Sequence, residues 1–177
     1  MSPCVVLVGL PGAGKSTAGH RLAKRLGVAF ADSDDLVESA VGQTVSEIFA
    51  TAGEAAFRDA EHVAIAVALI RFDGVLALGG GAILADSTRA ALAASGVPVV
   101  LLSAELATLA ERLGPADDRP LLAGDVSDRL AELAAARESL YRDVATVVID
   151  TDALSPSEVA IAIERRLAAV PRAGGHR

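Results

Sequence analysis

The chain has no tryptophan, one cysteine, one tyrosine and one methionine among 177 residues, and only 3 % of it is aromatic. Asparagine is absent, and the only lysines are Lys15 and Lys24, every other strong cation being arginine. Each scarcity excludes something. One thiol, Cys4, cannot close an internal disulfide, which fits a reducing, cytoplasmic setting; the residue reads as a small buried hydrophobe. No basic stretch precedes the first apolar run, and that run ends in a glycine-rich turn, so it does not read as a secretion signal. No apolar stretch approaches the ~20 residues that span a bilayer, so no membrane partner is expected. Without asparagine the N-K-x-D guanine-reading motif cannot be written. A net charge of −7 and a pI of about 4.9 argue against a nucleic-acid partner. Small anions can still bind where arginines converge.

Hydrophobic residues make up 52 % of the chain, enough for one substantial core. A single domain over residues 1–170 is expected, with 171–177 a frayed tail. Five short apolar runs alternate with helical patterns. The strands expected are Val5–Val8, Val28–Asp32, Val75–Leu78, Val97–Leu102 and Thr146–Asp150. This alternation predicts an α/β fold with a mainly parallel five-stranded sheet and helices on both faces. Lys15 to Leu26 forms a helix with Ala18, Leu22 and Leu26 on one stripe. Thr44-Val-Ser-Glu47 is a capping box. Glu54 to Ile70 reads as one long helix whose second half, Val63 to Ile70, is apolar all round and is expected to be buried. Ser155-Pro156-Ser157-Glu158 opens the last helix.

The first strand runs into Gly9-Leu10-Pro11-Gly12-Ala13-Gly14-Lys15-Ser16-Thr17, which fits the phosphate-loop pattern G-x-x-x-x-G-K-[ST]. A triphosphate needs several backbone N–H groups turned into one concavity, and glycines permit that curl. The positive end of the following helix adds to the attraction. Gly12, Ala13, Gly14, Lys15, Ser16 and Thr17 are therefore assigned to ATP. Lys15 reaches the β- and γ-phosphates and Ser16 can ligate Mg²⁺.

Ligands in such sheets gather where strands end. The second strand ends in Asp32-Ser33-Asp34 and the third in Gly79-Gly80-Gly81. Asp32 and Asp34, at i and i+2, share a face if the strand end stays extended. One can hold Mg²⁺ through water while the other takes a proton from a substrate hydroxyl; the plainer alternative is a helix cap. Three consecutive glycines fit close approach of a ligand to the backbone, or a tight turn. Arg58 has Glu54 at i−4 and Glu61 at i+3. It is either one rung of a surface ion-pair ladder or an oriented fork for a carboxylate. Arg137 falls on the apolar stripe of Leu130, Leu133 and Tyr141, where a charge must snorkel or find an anion. Arg119 lies in the aperiodic, Pro- and Gly-punctuated segment 114–124, which suits a lid, with Arg112 just before it. Both could equally be solvated.

In combination these stretches resemble the shikimate kinase family. The matching residues are Gly9–Thr17, Asp32-Ser33-Asp34, Phe57-Arg58 with Glu61, Gly79–Gly81, Arg119-Pro120-Leu121-Leu122, and Arg137 followed by Leu140-Tyr141-Arg142. They run in the family's order over nearly the whole chain. The resemblance implies a nucleoside-monophosphate-kinase-like fold with a substrate-binding helical region over about 33–61 and a lid. It implies transfer of the γ-phosphoryl of ATP, with Mg²⁺, to the 3-hydroxyl of shikimate, on the route to chorismate and aromatic amino acids, by a monomer. A sugar-acid kinase of the same fold, acting for example on gluconate, is the competing expectation. Under the resemblance Asp34 binds ring hydroxyls and acts as base. Arg58 and Arg137 grip the substrate carboxylate. Gly79, Gly80 and Gly81 line the substrate pocket, and Phe49 and Phe57 wall it. Lys15 and Arg119 carry phosphoryl charge, Ser16 and Asp32 hold the metal, and Arg112 stacks near adenine. One departure stands out: the loop after the fifth strand, Thr151-Asp152-Ala153-Leu154, carries no basic residue to meet the adenine.

Overall fold

A computed structural model of the chain describes residues 2–114 and 126–169. The strands are β1 (Val5–Val8), β2 (Ala29–Asp32), β3 (Gly74–Ala77), β4 (Val99–Ser103) and β5 (Val147–Asp150). The helices are α1 (Lys15–Leu26), α2 (Ser33–Val41), α3 (Val45–Thr51), α4 (Gly53–Arg71), α5 (Asp86–Ser95), α6 (Leu106–Leu113), α7 (Val126–Val144) and α8 (Pro156–Ala169), with a 3₁₀ turn at Ala82–Leu84. All four strand pairings are parallel and the order is β2-β3-β1-β4-β5. The expected lid at 114–124 and the tail at 171–177 fall outside the described residues, apart from Gly114. Among the described residues no helix is long and apolar enough to cross a membrane.

The central strands carry side chains that meet no water on either face: every residue of β1 and of β3 is buried. That is why they read as continuous apolar runs rather than alternating ones. One core layer lies against α1 and α8, around Leu7, Leu22, Val100 and Ile163. The other lies against α4, α5 and α7, around Val6, Ile65, Leu76 and Leu92. A small satellite cluster of Val37, Ile48 and Phe57 holds α2, α3 and α4 together. The Thr44 capping box forms as expected, with Glu47 reaching back to the Thr44 backbone. Close packing depends on small residues: a Cβ on Gly19 would run into the Phe30 ring and sit 3.2 Å from Leu7 Cδ1.

The expectation for the second half of α4 is overturned. Val63, Val67 and Ile70 are 60 %, 50 % and 70 % exposed. The buried stripe runs instead through Phe57, Glu61, Ile65, Ala68 and Leu69, a spacing of about one helical turn per step. The helix packs on one side only, and apolar residues on the other side need no burial partner, since much of any protein surface is apolar. Leu26, expected on the buried stripe of α1, is likewise 36 % exposed at the helix end. It follows that Val67→Gln changes unfolding free energy by no more than about 0.5 kcal/mol, as for an ordinary surface position. Ile65→Ala, on the buried stripe, costs about 2–5 kcal/mol. Chemical denaturation of the two variants checks the assignment.

Candidate active site

The carboxyl ends of β1, β2 and β3 open into one cavity of about 740 Å³. Its floor is the phosphate loop, from Pro11 to Thr17. Gly14, just before α1, has φ +86, and no side chain caps the helix. The first-turn N–H groups are thus left to a ligand, which is the usual anion site of a helix N-terminus. Gly9 needs its glycine twice over. Its φ is +146, and a Cβ would collide with the Leu102 carbonyl oxygen. Lys15 Nζ donates to the Gly9 and Leu10 carbonyls at 2.9 and 3.2 Å, which keeps it over the loop.

Asp32 and Asp34 both line the cavity. They do not share an extended strand end, as i, i+2 spacing had suggested. Asp32 closes β2 and caps α2, accepting from the Asp34 backbone N–H at 3.2 Å, while Asp34 stands in the helix's first turn. The cap and the site are the same feature. Asp32 Oδ2 also accepts from the Ser16 hydroxyl at 3.0 Å. A hydroxyl and a carboxylate in contact beside the phosphate loop form an all-oxygen donor pair. That suits Mg²⁺, which takes few protein ligands and keeps its waters. Among the described residues no group of three or more His, Cys, Asp and Glu is placed to hold a metal ion.

Burial, and then the Asp32 charge, push Asp34 from an ordinary 3.8 up to about 6, against the pull of Arg58 and Lys15. Glu61 is 1 % exposed, and burial pushes it to about 7 despite the Arg58 guanidinium beside it. Both folded-state values lie above the unfolded ones, so between about pH 4.5 and pH 7 the folded chain binds more protons than the unfolded chain. Stability from these groups is therefore present at low pH and lost as pH rises through 6 to 7. The ligand-free protein melts at a higher temperature at pH 5 than at pH 8. Were Asp34 to serve as a general base, activity would run the other way, with kcat/KM falling below a midpoint near pH 6 as it is protonated. Melting curves and rate profiles over the same buffers check both signs.

The acceptor side is built on the glycine turn. Gly79 N–H donates to Ser33 Oγ at 2.8 Å, and Ser33 is fully buried. A Cβ on Gly79 would press on Glu61 Oε1 and Asp34 Oδ1, at 2.7 and 2.8 Å. A Cβ on Gly81 would overlap the Arg58 guanidinium. Two of the three glycines, Gly79 and Gly81, are thus required because carboxylates and an arginine crowd the backbone there, whereas a Cβ on Gly80 would meet only ordinary contacts. The ion pairs expected of Arg58 form, though not as a surface ladder, since Glu61 is buried. Arg58 pairs with Glu61 at 2.6 Å and Glu54 at 3.3 Å, and those acids fix the guanidinium against Gly81, 5.1 Å from the Phe57 ring centre. Arg137 Nη1 would lie 3.4 Å from a Cβ on Gly80. Buried atoms Arg58 Nε, Arg137 Nε and Glu61 Oε1 have no hydrogen-bond partner. Buried polar atoms in that state are ones that water or a ligand can satisfy.

Not every expected residue reaches the cavity wall. Gly79 and Gly80 line it, whereas Gly81, Arg58, Arg137, Phe49 and Phe57 stand behind or beside it. Phe57 is 3 % exposed and belongs to the satellite core, with Phe49 packed on it at 5.0 Å between ring centres. Arg119 lies outside the described residues. Arg112 reaches the cavity and is not simply solvated: it donates to Thr151 Oγ1 at 2.9 Å and to the Thr151 carbonyl at 2.6 Å. Leu113, Leu154, Pro156 and Val159 line the same cavity as apolar neighbours in its wall. Sequence reasoning passed over Ser33 and Thr151. The available signal was a hydroxyl residue directly after a strand, placed to bond the neighbouring loop.

Comparison with known proteins agrees with this geometry. A model of the shikimate kinase family matches residues 11–168. A shikimate kinase of Saccharopolyspora erythraea is 50 % identical over 176 residues, covering 98 % of this chain and 99 % of that one. The solved shikimate kinase of Acinetobacter baumannii in complex with shikimate superposes with a TM-score of 0.88 at 35 % identity, covering 96 % of this chain and 94 % of the other. A gluconokinase from Sinorhizobium meliloti gives a TM-score of 0.62 at 24 % identity, over 93 % of this chain and 91 % of that one, a likeness of fold alone.

Proposed function

The chain belongs to the shikimate kinase family, and from that premise we propose how its residues divide the work. The enzyme transfers the γ-phosphoryl group of ATP to the 3-hydroxyl of shikimate, giving shikimate 3-phosphate and ADP. The observation that carries the division of labour is that Asp34 and the phosphate loop line one cavity.

ATP lies with its phosphates on Gly12 to Thr17 and its base beside Arg112, Leu154 and Pro156. Apolar walls and a fixed guanidinium plane suit a stacked adenine, which replaces the missing basic residue of the loop after β5. Lys15 moves from the loop carbonyls to the β- and γ-phosphates. Arg119 shares the charge of the transferring group. The Ser16 hydroxyl and the Asp32 carboxylate would hold Mg²⁺, which would neutralise phosphate charge when bound. Shikimate lies against Gly79, Gly80 and Gly81, beside Phe49 and Phe57. Its carboxylate is gripped by Arg58 and Arg137. Asp34 bonds the acceptor hydroxyl and takes its proton as the oxygen attacks phosphorus and the bond to ADP breaks. Positioning and charge neutralisation supply most of the rate. The cytoplasm is the compartment this reading assigns, since one cysteine cannot close a disulfide within the chain, and the enzyme acts as a single-domain monomer over residues 1–170.

Phosphorus–proton correlation spectra of the product test the placement of Asp34. Phosphate on the oxygen at C3 is the expected result. Phosphate on another ring oxygen contradicts it.

A further inference from the structure

Tyr141 is the only tyrosine of the chain and is 2 % exposed on α7. Its hydroxyl lies 2.6 Å from the Gly80 carbonyl oxygen and 3.1 Å from the Gly9 carbonyl oxygen. Gly9 opens the phosphate loop, and Gly80 is the middle of the glycine turn. A phenol has one proton, which goes to the nearer Gly80 oxygen and is shared with Gly9 in a three-centre arrangement. Burial pushes the phenol up to about 12, so it remains a neutral donor at any working pH. A Cβ on Gly80 would touch Arg137 Nη1, Pro11 Cδ and Tyr141 Oη, at 3.4, 3.5 and 3.5 Å. The glycine turn, the phosphate loop, the carboxylate-gripping arginine and this phenol thus meet at one point.

We propose that Tyr141 is a positioning residue, tying the loop that holds the phosphoryl donor to the turn that holds the acceptor. Neither carbonyl is part of the reacting groups, and the tyrosine acts through both. The inference rests on ATP at the phosphate loop and shikimate at the glycine turn. Its physical content is separation: in-line transfer needs the acceptor oxygen and the γ-phosphorus held near contact, and an error of about 1 Å can cost on the order of 100-fold in rate. Core packing alone does not need the hydroxyl, because the ring already packs with Ile83 and Leu92.

Tyr141→Phe keeps the ring and removes the tie. The expected result is a fall in kcat of tenfold or more, with KM for ATP and for shikimate each within threefold of wild type. A purely structural hydroxyl would lower the melting temperature and leave kcat unchanged. A second measurement needs no variant. With no tryptophan present, tyrosine emission comes from Tyr141 alone, and it should change on adding ADP alone and on adding shikimate alone. A kcat within twofold of wild type, or emission that answers to only one ligand, overturns the proposal. Should the variant fail to melt cooperatively, the emission measurement decides. Wild-type enzyme run alongside separates the two levels. If it fails to phosphorylate shikimate, the functional reading falls and this inference with it. If it does so and Tyr141→Phe keeps its kcat, only the role of Tyr141 is wrong.

Discussion

Asp34→Asn lowers shikimate-dependent turnover by roughly 10²–10⁴-fold, the usual contribution of a positioned base, while ATP affinity stays within about threefold. The argument starts from where the residue stands. Asp34 is in the first turn of α2, beside Asp32, whose side chain holds its backbone N–H. Burial and the neighbouring charge raise it to about 6. It is therefore basic enough to accept a hydroxyl proton and still ionised near neutral pH. The amide keeps the shape and the hydrogen bonds to a ring hydroxyl but cannot take the proton. The nucleotide contacts proposed above, at the phosphate loop and near Arg112, are left alone by this change. Turnover measured with saturating ATP, together with calorimetric ATP binding, checks both halves. Parallel loss of ATP binding would place Asp34 on the nucleotide side.

Arg58→Ala and Arg137→Ala each raise the Michaelis constant for shikimate tenfold or more, with the ATP constant little changed. A charge-assisted hydrogen bond is worth about 1.5–3 kcal/mol, and an arginine fork supplies two to a carboxylate. The effect of Arg58→Ala has a second part. Glu61 is buried and paired with Arg58 at 2.6 Å, so deletion leaves an uncompensated acid beside the place of an anionic substrate. The loss at Arg58 should accordingly exceed that at Arg137 where Glu61 is ionised; since Arg58 itself holds the Glu61 carboxyl down, its removal raises that group beyond about 7, so the gap should be widest at pH 9 and narrow at pH 6. Steady-state kinetics at the two pH values read this directly. Changes below about threefold for both variants would put the carboxylate elsewhere.

Much of this was legible in the chain because the signals are local. The loop Gly9–Thr17 carries its own pattern, and β1 and β3 read as strands because burial on both faces makes their sequences continuously apolar. Arg137 stood out as a charge on an apolar stripe, and the structure places it beside Gly80. What failed has a common cause. An apolar run does not say on which side its helix is packed, so Val63, Val67 and Ile70 were expected inside and lie at the surface. Asp32 and Asp34 looked like a strand-end pair because strand and helix boundaries are set by capping geometry, not by residue type. A hydroxyl directly after β5 marks Thr151 as a loop anchor but does not name its partner, since the bond to Arg112 spans 39 residues and depends on how β4 and β5 align.

The central claim is that the donor loop and the acceptor turn serve one reaction, with shikimate as acceptor. The most direct measurement is ADP release by purified enzyme with ATP and Mg²⁺, comparing shikimate, gluconate and no acceptor. The account predicts ADP release that depends on shikimate and stays at the no-acceptor rate with gluconate. Release that depends on gluconate and ignores shikimate would contradict it.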